Sequence, residues 1–252
     1  MNKPSTASII LAGGQGKRLN SKEVNKVVYP FLGKPMIKYG VDLFKRVSSP
    51  VIVVVGAFAE SVKTVLKDEN DVLFAFQKEQ LGTGHAVRVA LEALGSQPEL
   101  VLVGMGDHMM YYSKKTLEDL LALHKKESAV VTFVSTKLDD PEEAAWGHVE
   151  RGATGAVVDI IEHKDGNETQ KKIKEVNAGL YCFDFKFLKT HISSIQKSPV
   201  TGEYYLTDII KVAFTDKLPV AALMVPFQEV GIGVNRADEL EKSQVYYKKT
   251  HE

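Results

Sequence analysis

Five nearly unbroken runs of apolar, mostly β-branched residues recur through the first half of the chain: Ser8–Ala12, Pro50–Gly56, Val72–Phe76, Leu100–Gly104 and Ala129–Val134. A strand with one wet face alternates apolar and polar residues, whereas a continuous run belongs to a strand covered on both faces, as helices cover a parallel sheet. The intervening segments carry apolar residues three and four apart: Met36, Ile37, Val41, Phe44 and Val47, then Val87, Ala90, Leu91 and Leu94, then Leu117, Leu120, Leu121 and His124. That is helical spacing. The β-α-β-α order predicts an α/β fold with a doubly wound, mostly parallel, Rossmann-like sheet whose ligands sit at the carboxyl ends of its strands. Past about residue 140 the pattern changes to a mixed β region. His148–Arg151 and Ala156–His163 flank Gly152 and Gly155 as a hairpin, Val176–Phe183 and Val220–Val225 are further strands, and the charged stretch Glu162–Glu175 reads as a solvated loop and helix.

With 44% apolar residues and 25% charged residues in 252, the chain has the composition of a globular protein and not of a disordered or fibrous one. No run reaches the roughly 18 apolar residues of a membrane span, and the start has no signal-peptide core, so a cytoplasmic protein is expected. The single cysteine, Cys182, lies in an apolar strand and reads as inert core, unable to form an internal disulfide or a cysteine zinc site. Formal charge is zero, which argues against a nucleic-acid coat, but it is unevenly spread. Residues 1–40 hold seven Lys and Arg against one acid, Glu23, a net +6 that the rest of the chain offsets.

That basic excess surrounds Leu11-Ala12-Gly13-Gly14-Gln15-Gly16-Lys17-Arg18-Leu19. Closely spaced glycines let backbone approach a ligand and present N–H groups to an anion. Leu19 occupies the third glycine position of the dinucleotide fingerprint, and no G-K-[ST] closes a Walker loop. What remains is either a triphosphate cradle with Lys17, Arg18, Lys22, Lys26 and Lys34 nearby or a tight turn with solvated lysines.

The string L-A-G-G-Q-G-K-R-L, followed by Lys26 and Gly33-Lys34-Pro35-Met36, resembles the sugar-nucleotidyltransferase superfamily. Gln77–Ala86 (QKEQLGTGHA), Gly106-Asp107, Glu162–Asp165 (EHKD), Val176–Gly179 (VNAG), Gly202–Asp208 (GEYYLTD) and Gly233-Val234-Asn235 are similar to the uridylyltransferase domain of bacterial N-acetylglucosamine-1-phosphate uridylyltransferases. The resemblance covers almost the whole chain. It implies one GT-A-like nucleotidyltransferase domain over 1–252, with a nucleotide-binding half at 1–140, a sugar-binding half at 141–235 and a C-terminal helix at 236–252.

The implied reaction joins UTP and N-acetylglucosamine 1-phosphate into UDP-N-acetylglucosamine and pyrophosphate, with Mg²⁺ as cofactor, in nucleotide-sugar synthesis for the cell envelope. The nucleophile is already an anion, so positioning and charge stabilisation replace a general base. By resemblance, Arg18 and Lys26 are the catalytic cations. Leu11, Ala12, Gly13, Gly14, Gly16, Gln77, Gly82, Thr83, Met105 and Gly106 bind the nucleotide. Gly147, Glu162, Asn177, Tyr205 and Thr207 face the sugar, and Asp107 with Asn235 holds the metal. Neither nucleic acid nor membrane is implied as a partner, and a homo-oligomer stays open.

Read without the resemblance, Asp107 also fits a cap for the helix over Ser113–Leu123, Thr83 a cap for its own helix, and Glu162 a solvated surface acid. Trp146 reads as a half-buried aromatic or a stacking wall for the sugar. His85, His148 and His163 lack metal-site spacing. Asn25 stands where the family has proline, which predicts a looser turn before Lys26. His108-Met109-Met110 replaces the usual x-Pro-Leu after Asp107, which predicts a less rigid loop there. His148 replaces an arginine beside the sugar. Bifunctional relatives continue into a left-handed β-helix that transfers acetyl groups; no hexapeptide period occurs in this sequence, so acetyl transfer is expected to be absent. The same residues also admit a transferase for glucose or N-acetylgalactosamine 1-phosphate, or a paralogue that binds nucleotide sugars without turnover.

Overall fold

The computed structural model describes residues 5–14, 24–141 and 145–251. The apolar runs become strands β1 (Thr6–Ala12), β4 (Val51–Val55), β5 (Val72–Phe76), β6 (Leu100–Met105) and β7 (Val131–Lys137). A small hairpin, β2 (Pro30–Phe31) with β3 (Lys34–Pro35), turns through Leu32 and Gly33. Helices α1 (Met36–Phe44), α3 (Thr83–Ala93) and α4 (Lys114–Lys126) lie where the spacing predicts them, and a short α2 (Ala59–Val65) is added after β4. The second half contributes β8 (His148–Arg151), β9 (Val157–Ile161), β10 (Glu175–Asp184), α5 (Phe185–His191), α6 (Asp208–Thr215), β11 (Val220–Met224) and α7 (Ala237–His251). Of the charged stretch after Glu162, only a single 3-10 turn at Gln170–Lys172 is helical.

Among the described residues one sheet runs β11-β7-β10-β6-β1-β4-β5, with the β8–β9 hairpin attached to β10. The β6-β1-β4-β5 block is parallel throughout. β10 enters antiparallel between β6 and β7, giving the mixed second half. Alternate residues of each central strand enter opposite cores: Ile9, Ile52 and Val103 on one face, Ile10, Val53 and Leu102 on the other. This is why the runs are continuous rather than alternating. β1 is flanked by β4 on one side and β6 on the other, so strand order reverses there, and a ligand crevice opens outside the carboxyl end of β1.

α7 packs on the β2–β3 hairpin and on the loop after β6. Leu32 donates its N–H to Gln244 Oε1 at 2.9 Å, and Tyr111 Oη donates to the Ser243 carbonyl at 2.7 Å. Phe31, Met36, Met110, Tyr111 and Val234 form a small third core beneath it. No helix among the described residues is long and apolar enough to cross a membrane.

Candidate active site

β1 delivers Leu11 and Ala12 to the crevice, and the chain continues into Gly13 and Gly14. A Cβ on Gly13 would lie 2.6 Å from Gln77 Oε1, and one on Gly56 would lie 2.6 Å from the Gly13 carbonyl oxygen, so the ends of β1, β4 and β5 meet at backbone distance. Gln77 is only 3% exposed. Its Nε2 donates to the Gly82 carbonyl at 3.1 Å and lies 3.1 Å from His85 Nδ1, so this amide nitrogen is engaged by the protein while Oε1 faces Gly13.

Gly82 has φ +104°, and a Cβ on it would stand 2.5 Å from the Tyr204 carbonyl oxygen. The segment is stitched to the second half of the chain: Tyr204 N donates to Leu81 O at 2.8 Å and Gly84 N to Tyr204 O at 2.8 Å. Gly82, not Thr83, precedes the first turn of α3, and the Thr83 hydroxyl accepts the Leu206 N–H at 2.9 Å across the junction.

A cavity of about 630 Å³ opens between these elements. Leu11, Ala12, Gly13, Gly14, Lys26, Gln77, Gly82, Thr83, Met105, Asp107 and Asn235 line it, as do Asn25, Gln80 and Glu203, which the sequence reading did not assign to the site. Gln80 and Glu203 lie inside the QKEQLGTGHA and GEYYLTD strings, where their polarity is the available signal. Gly106 sits behind the wall, its N–H on the Leu11 carbonyl at 3.0 Å. Gly16 and Arg18 fall outside the described residues.

On the cavity wall three sequence-distant polar groups converge. Lys26 Nζ forms an ion pair with Asp107 and donates to Asn235 Oδ1 at 2.8 Å. Each partner is braced: Val234 N donates to the Asp107 carbonyl at 3.2 Å, and Asn235 N to Glu239 Oε2 on α7 at 2.7 Å. Asp107 does not cap α4; Ser113 does, its Oγ accepting the Thr116 N–H at 3.1 Å. The loop after Asp107 is packed into the protein despite its unusual sequence: His108, Met109, Met110, Tyr111 and Tyr112 are all buried. Tyr112 Oη donates to the Ala178 carbonyl at 2.6 Å, tying the loop to β10.

The fit of a hard divalent cation can be tested on this cluster. A carboxylate oxygen and an amide oxygen already converge on one positive charge, the Lys26 ammonium. Such oxygen donors, few in number, suit magnesium, which keeps waters and takes further oxygens from phosphates. Among the described residues no group of three or more His, Cys, Asp and Glu is arranged to hold a metal ion.

Beyond Met105, the candidate sugar residues form a second group. β10 shifts register between Asn177 and Tyr181, where Gly179 has φ +75° and packs against Met105. The bulge holds Asn177 by both ends: Oδ1 accepts the Gly179 N–H at 3.2 Å and Nδ2 donates to Tyr181 Oη at 2.5 Å. Asn177 N donates to the Gly147 carbonyl at 2.8 Å, and a Cβ on Gly147 would be 3.6 Å from Glu162 Oε1.

Glu162 is therefore no solvated surface acid. Thr207 donates its hydroxyl to Glu162 Oε1 at 2.8 Å, and burial, reinforced by Asp208, Asp165 and Glu203, pushes the carboxyl above its usual range. Tyr205 is buried with its hydroxyl on Thr201 at 2.6 Å. Gly147, Glu162, Asn177, Tyr205 and Thr207 are gathered together but lie outside the lining of the larger cavity.

His148 is fully buried, with Nδ1 3.0 Å from the Ile173 carbonyl and Nε2 3.0 Å from His163 Nδ1. Trp146 is half-buried against His108, ring centres 4.8 Å apart. Cys182 is buried and its thiol is pushed far above the ordinary range, as inert core requires.

A glycine-lined crevice at the ends of parallel strands, with a lysine, a carboxylate and an amide oxygen on its wall, suits an anionic ligand. The Nucleotidyl transferase family profile matches residues 7–229, and the chain belongs to that family. It is 37% identical over 243 residues to the bifunctional protein GlmU of Oceanobacillus iheyensis, covering 96% of this chain and 52% of the relative. It is 38% identical over 243 residues to the bifunctional protein GlmU of Bacillus licheniformis, again covering 96% of this chain and 52% of the relative. The chain thus spans about half the length of these curated relatives. In fold it resembles a crystal structure from Bacillus anthracis described as a glucose-1-phosphate thymidylyltransferase in complex with sucrose, with TM-score 0.75 and 20% identity over 96% of this chain and 94% of that one.

Proposed function

We propose that this protein is a cytoplasmic uridylyltransferase that forms UDP-N-acetylglucosamine and pyrophosphate from UTP and N-acetylglucosamine 1-phosphate. The observation that carries the reading is the convergence of Lys26 with Asp107 and Asn235 on the wall of a cavity lined by Leu11–Gly14. The similarity to the GlmU proteins supports the choice of substrates.

In this reading the backbone of Leu11–Gly14 and Gly82 packs against the nucleotide. Lys26, with Arg18, neutralises the triphosphate, so that an anionic sugar phosphate can approach the α-phosphorus in line with the leaving pyrophosphate. Asp107 and Asn235 would hold magnesium, which when bound supplies charge neutralisation for the phosphates. With Asp107 so engaged, the Lys26 ammonium would be available to a phosphate oxygen. On the sugar side, Thr207 occupies Glu162 Oε1, leaving Oε2 to accept a sugar hydroxyl. Asn177, held by the β10 bulge, presents its amide beside it. No side chain is needed as a base, because the attacking oxygen carries its charge already.

Purified protein supplied with magnesium, UTP and N-acetylglucosamine 1-phosphate should release pyrophosphate, and omission of either substrate should stop it. Silence across a panel of nucleoside triphosphates and sugar 1-phosphates would sink the proposal in favour of a binding paralogue.

A further inference from the structure

The residue immediately before Lys26 is more heavily committed than its neighbours in the cavity wall. Asn25 is 1% exposed, and its Nδ2 donates to three backbone carbonyls: Ala12 at 2.8 Å, Gly14 at 3.1 Å and Ala57 at 3.0 Å. Its Oδ1 accepts the Val27 N–H at 3.1 Å, capping the 3-10 turn that begins with Lys26. Its own N–H donates to Ser61 Oγ at 2.9 Å.

One side chain therefore ties the glycine segment after β1, the turn after β4, and the Lys26 turn, while its main chain ties α2. A neutral amide fits this surrounding, its two N–H groups shared among three carbonyls and its oxygen accepting from Val27. A carboxylate would face three carbonyl oxygens, and an apolar side chain would take the Asn25 donor from the buried Ala12 carbonyl and from the part-buried Gly14 and Ala57 carbonyls. The expectation of a loose turn here is overturned for this reason: the side chain supplies bonds that a proline could not.

The direction of the glycine backbone follows. In a planar trans peptide the C=O and N–H point opposite ways, so holding the Ala12 carbonyl fixes where the Gly13 N–H is presented. We propose that Asn25 is a positioning residue that sets the Lys26 ammonium and the Leu11–Gly14 backbone as one unit for the triphosphate. The inference rests on the nucleotidyl-transfer reading of the same cavity and assigns to Asn25 a role on its nucleotide side alone.

Asn25→Ala removes the side-chain bonds. Asn25→Pro removes them and also the main-chain bond to Ser61 Oγ, on a backbone that already has φ −70° and ψ 143°. Both are compared with the parent by steady-state kinetics in each substrate, by calorimetric binding of UTP and by thermal melting. Kcat/KM for UTP and the UTP affinity should each fall about 10- to 100-fold in both variants, the loss typical of a displaced supporting group, while KM for the sugar phosphate stays within about two-fold. Thermal melting shows whether each variant is folded at the assay temperature, which separates positioning from loss of fold.

UTP affinity and kcat/KM within about two-fold of the parent in a folded variant would overturn the proposal, as would equal losses toward both substrates. A parent that binds UTP without turnover defeats the transfer reading only, and the binding comparison still decides the role of Asn25.

Discussion

The two sides of the site are built from different materials. On the side proposed for the nucleotide the cavity opens at the carboxyl ends of parallel strands, where Gly13, Gly56 and Gly82 leave no room for a Cβ. Among the described lining residues the cationic charge comes from Lys26, set by its neighbour Asn25. On the side proposed for the sugar an antiparallel hairpin and a bulged strand bring together buried and half-buried side chains, each occupied by another: Glu162 with Thr207, Asn177 with Tyr181, His148 with His163. A backbone wall suits an anion with many equivalent oxygens. Recognising one sugar among near-isomers takes side-chain donors and acceptors at fixed points, because a mismatched hydroxyl then leaves a buried group unpaired. The seam between the two is Asp107 with Asn235.

Damage at the seam should have the largest effect. Asp107→Asn removes the carboxylate that Lys26 contacts and that would hold the metal, so the rate should fall about 10²- to 10³-fold with the melting temperature little changed. Undiminished activity would take Asp107 out of the site. A change confined to the sugar side should be smaller and one-sided. Thr207→Val strips Glu162 of its donor, which should raise KM for the sugar phosphate about tenfold while KM for UTP holds. A matching rise for UTP would show that the two sides are not separable.

The smallest effect is on stability alone. Asp208 at the start of α6 is pushed up to about 6 by burial and by Asp159 and Asp165 against Lys211. The folded carboxyl then holds its proton more tightly than the unfolded one, so ionisation opposes folding: the cost is absent below the ordinary value of 3.8 and complete above about 6. Full strength would be about 3 kcal/mol, and partial exposure reduces it to about 1 kcal/mol. Asp208→Asn should therefore stabilise the protein by about 1 kcal/mol at pH 7.5 and by nothing near pH 3, checked by denaturant melts. A gain equal at both pH values would show that ionisation is not its source.

The same contrast decides what the sequence could tell. The buried parallel strands were legible because covering helices enforce continuous apolar runs, and the cavity's glycine wall was legible because close backbone approach demands glycine. Short α2, α5 and α6 left too brief a periodic signal to read. Asn25 was misjudged because its value lies in three carbonyls from two distant segments, and no local pattern records those. Glu162 sits in a run of charge that looks like surface, and only the fold shows that the β8–β9 hairpin and α6 enclose it. Asn235 carries no signal of its own; its meaning comes from meeting Lys26 across most of the chain.

The central claim is that this wall and this pocket together select UTP and N-acetylglucosamine 1-phosphate. The direct test is a competition: the protein with magnesium, equal UTP and dTTP, and equal N-acetylglucosamine and glucose 1-phosphates, with products resolved by mass. The account predicts UDP-N-acetylglucosamine as the dominant product. Predominant dTDP-glucose, or a mixture that simply follows the substrate ratios, would contradict it.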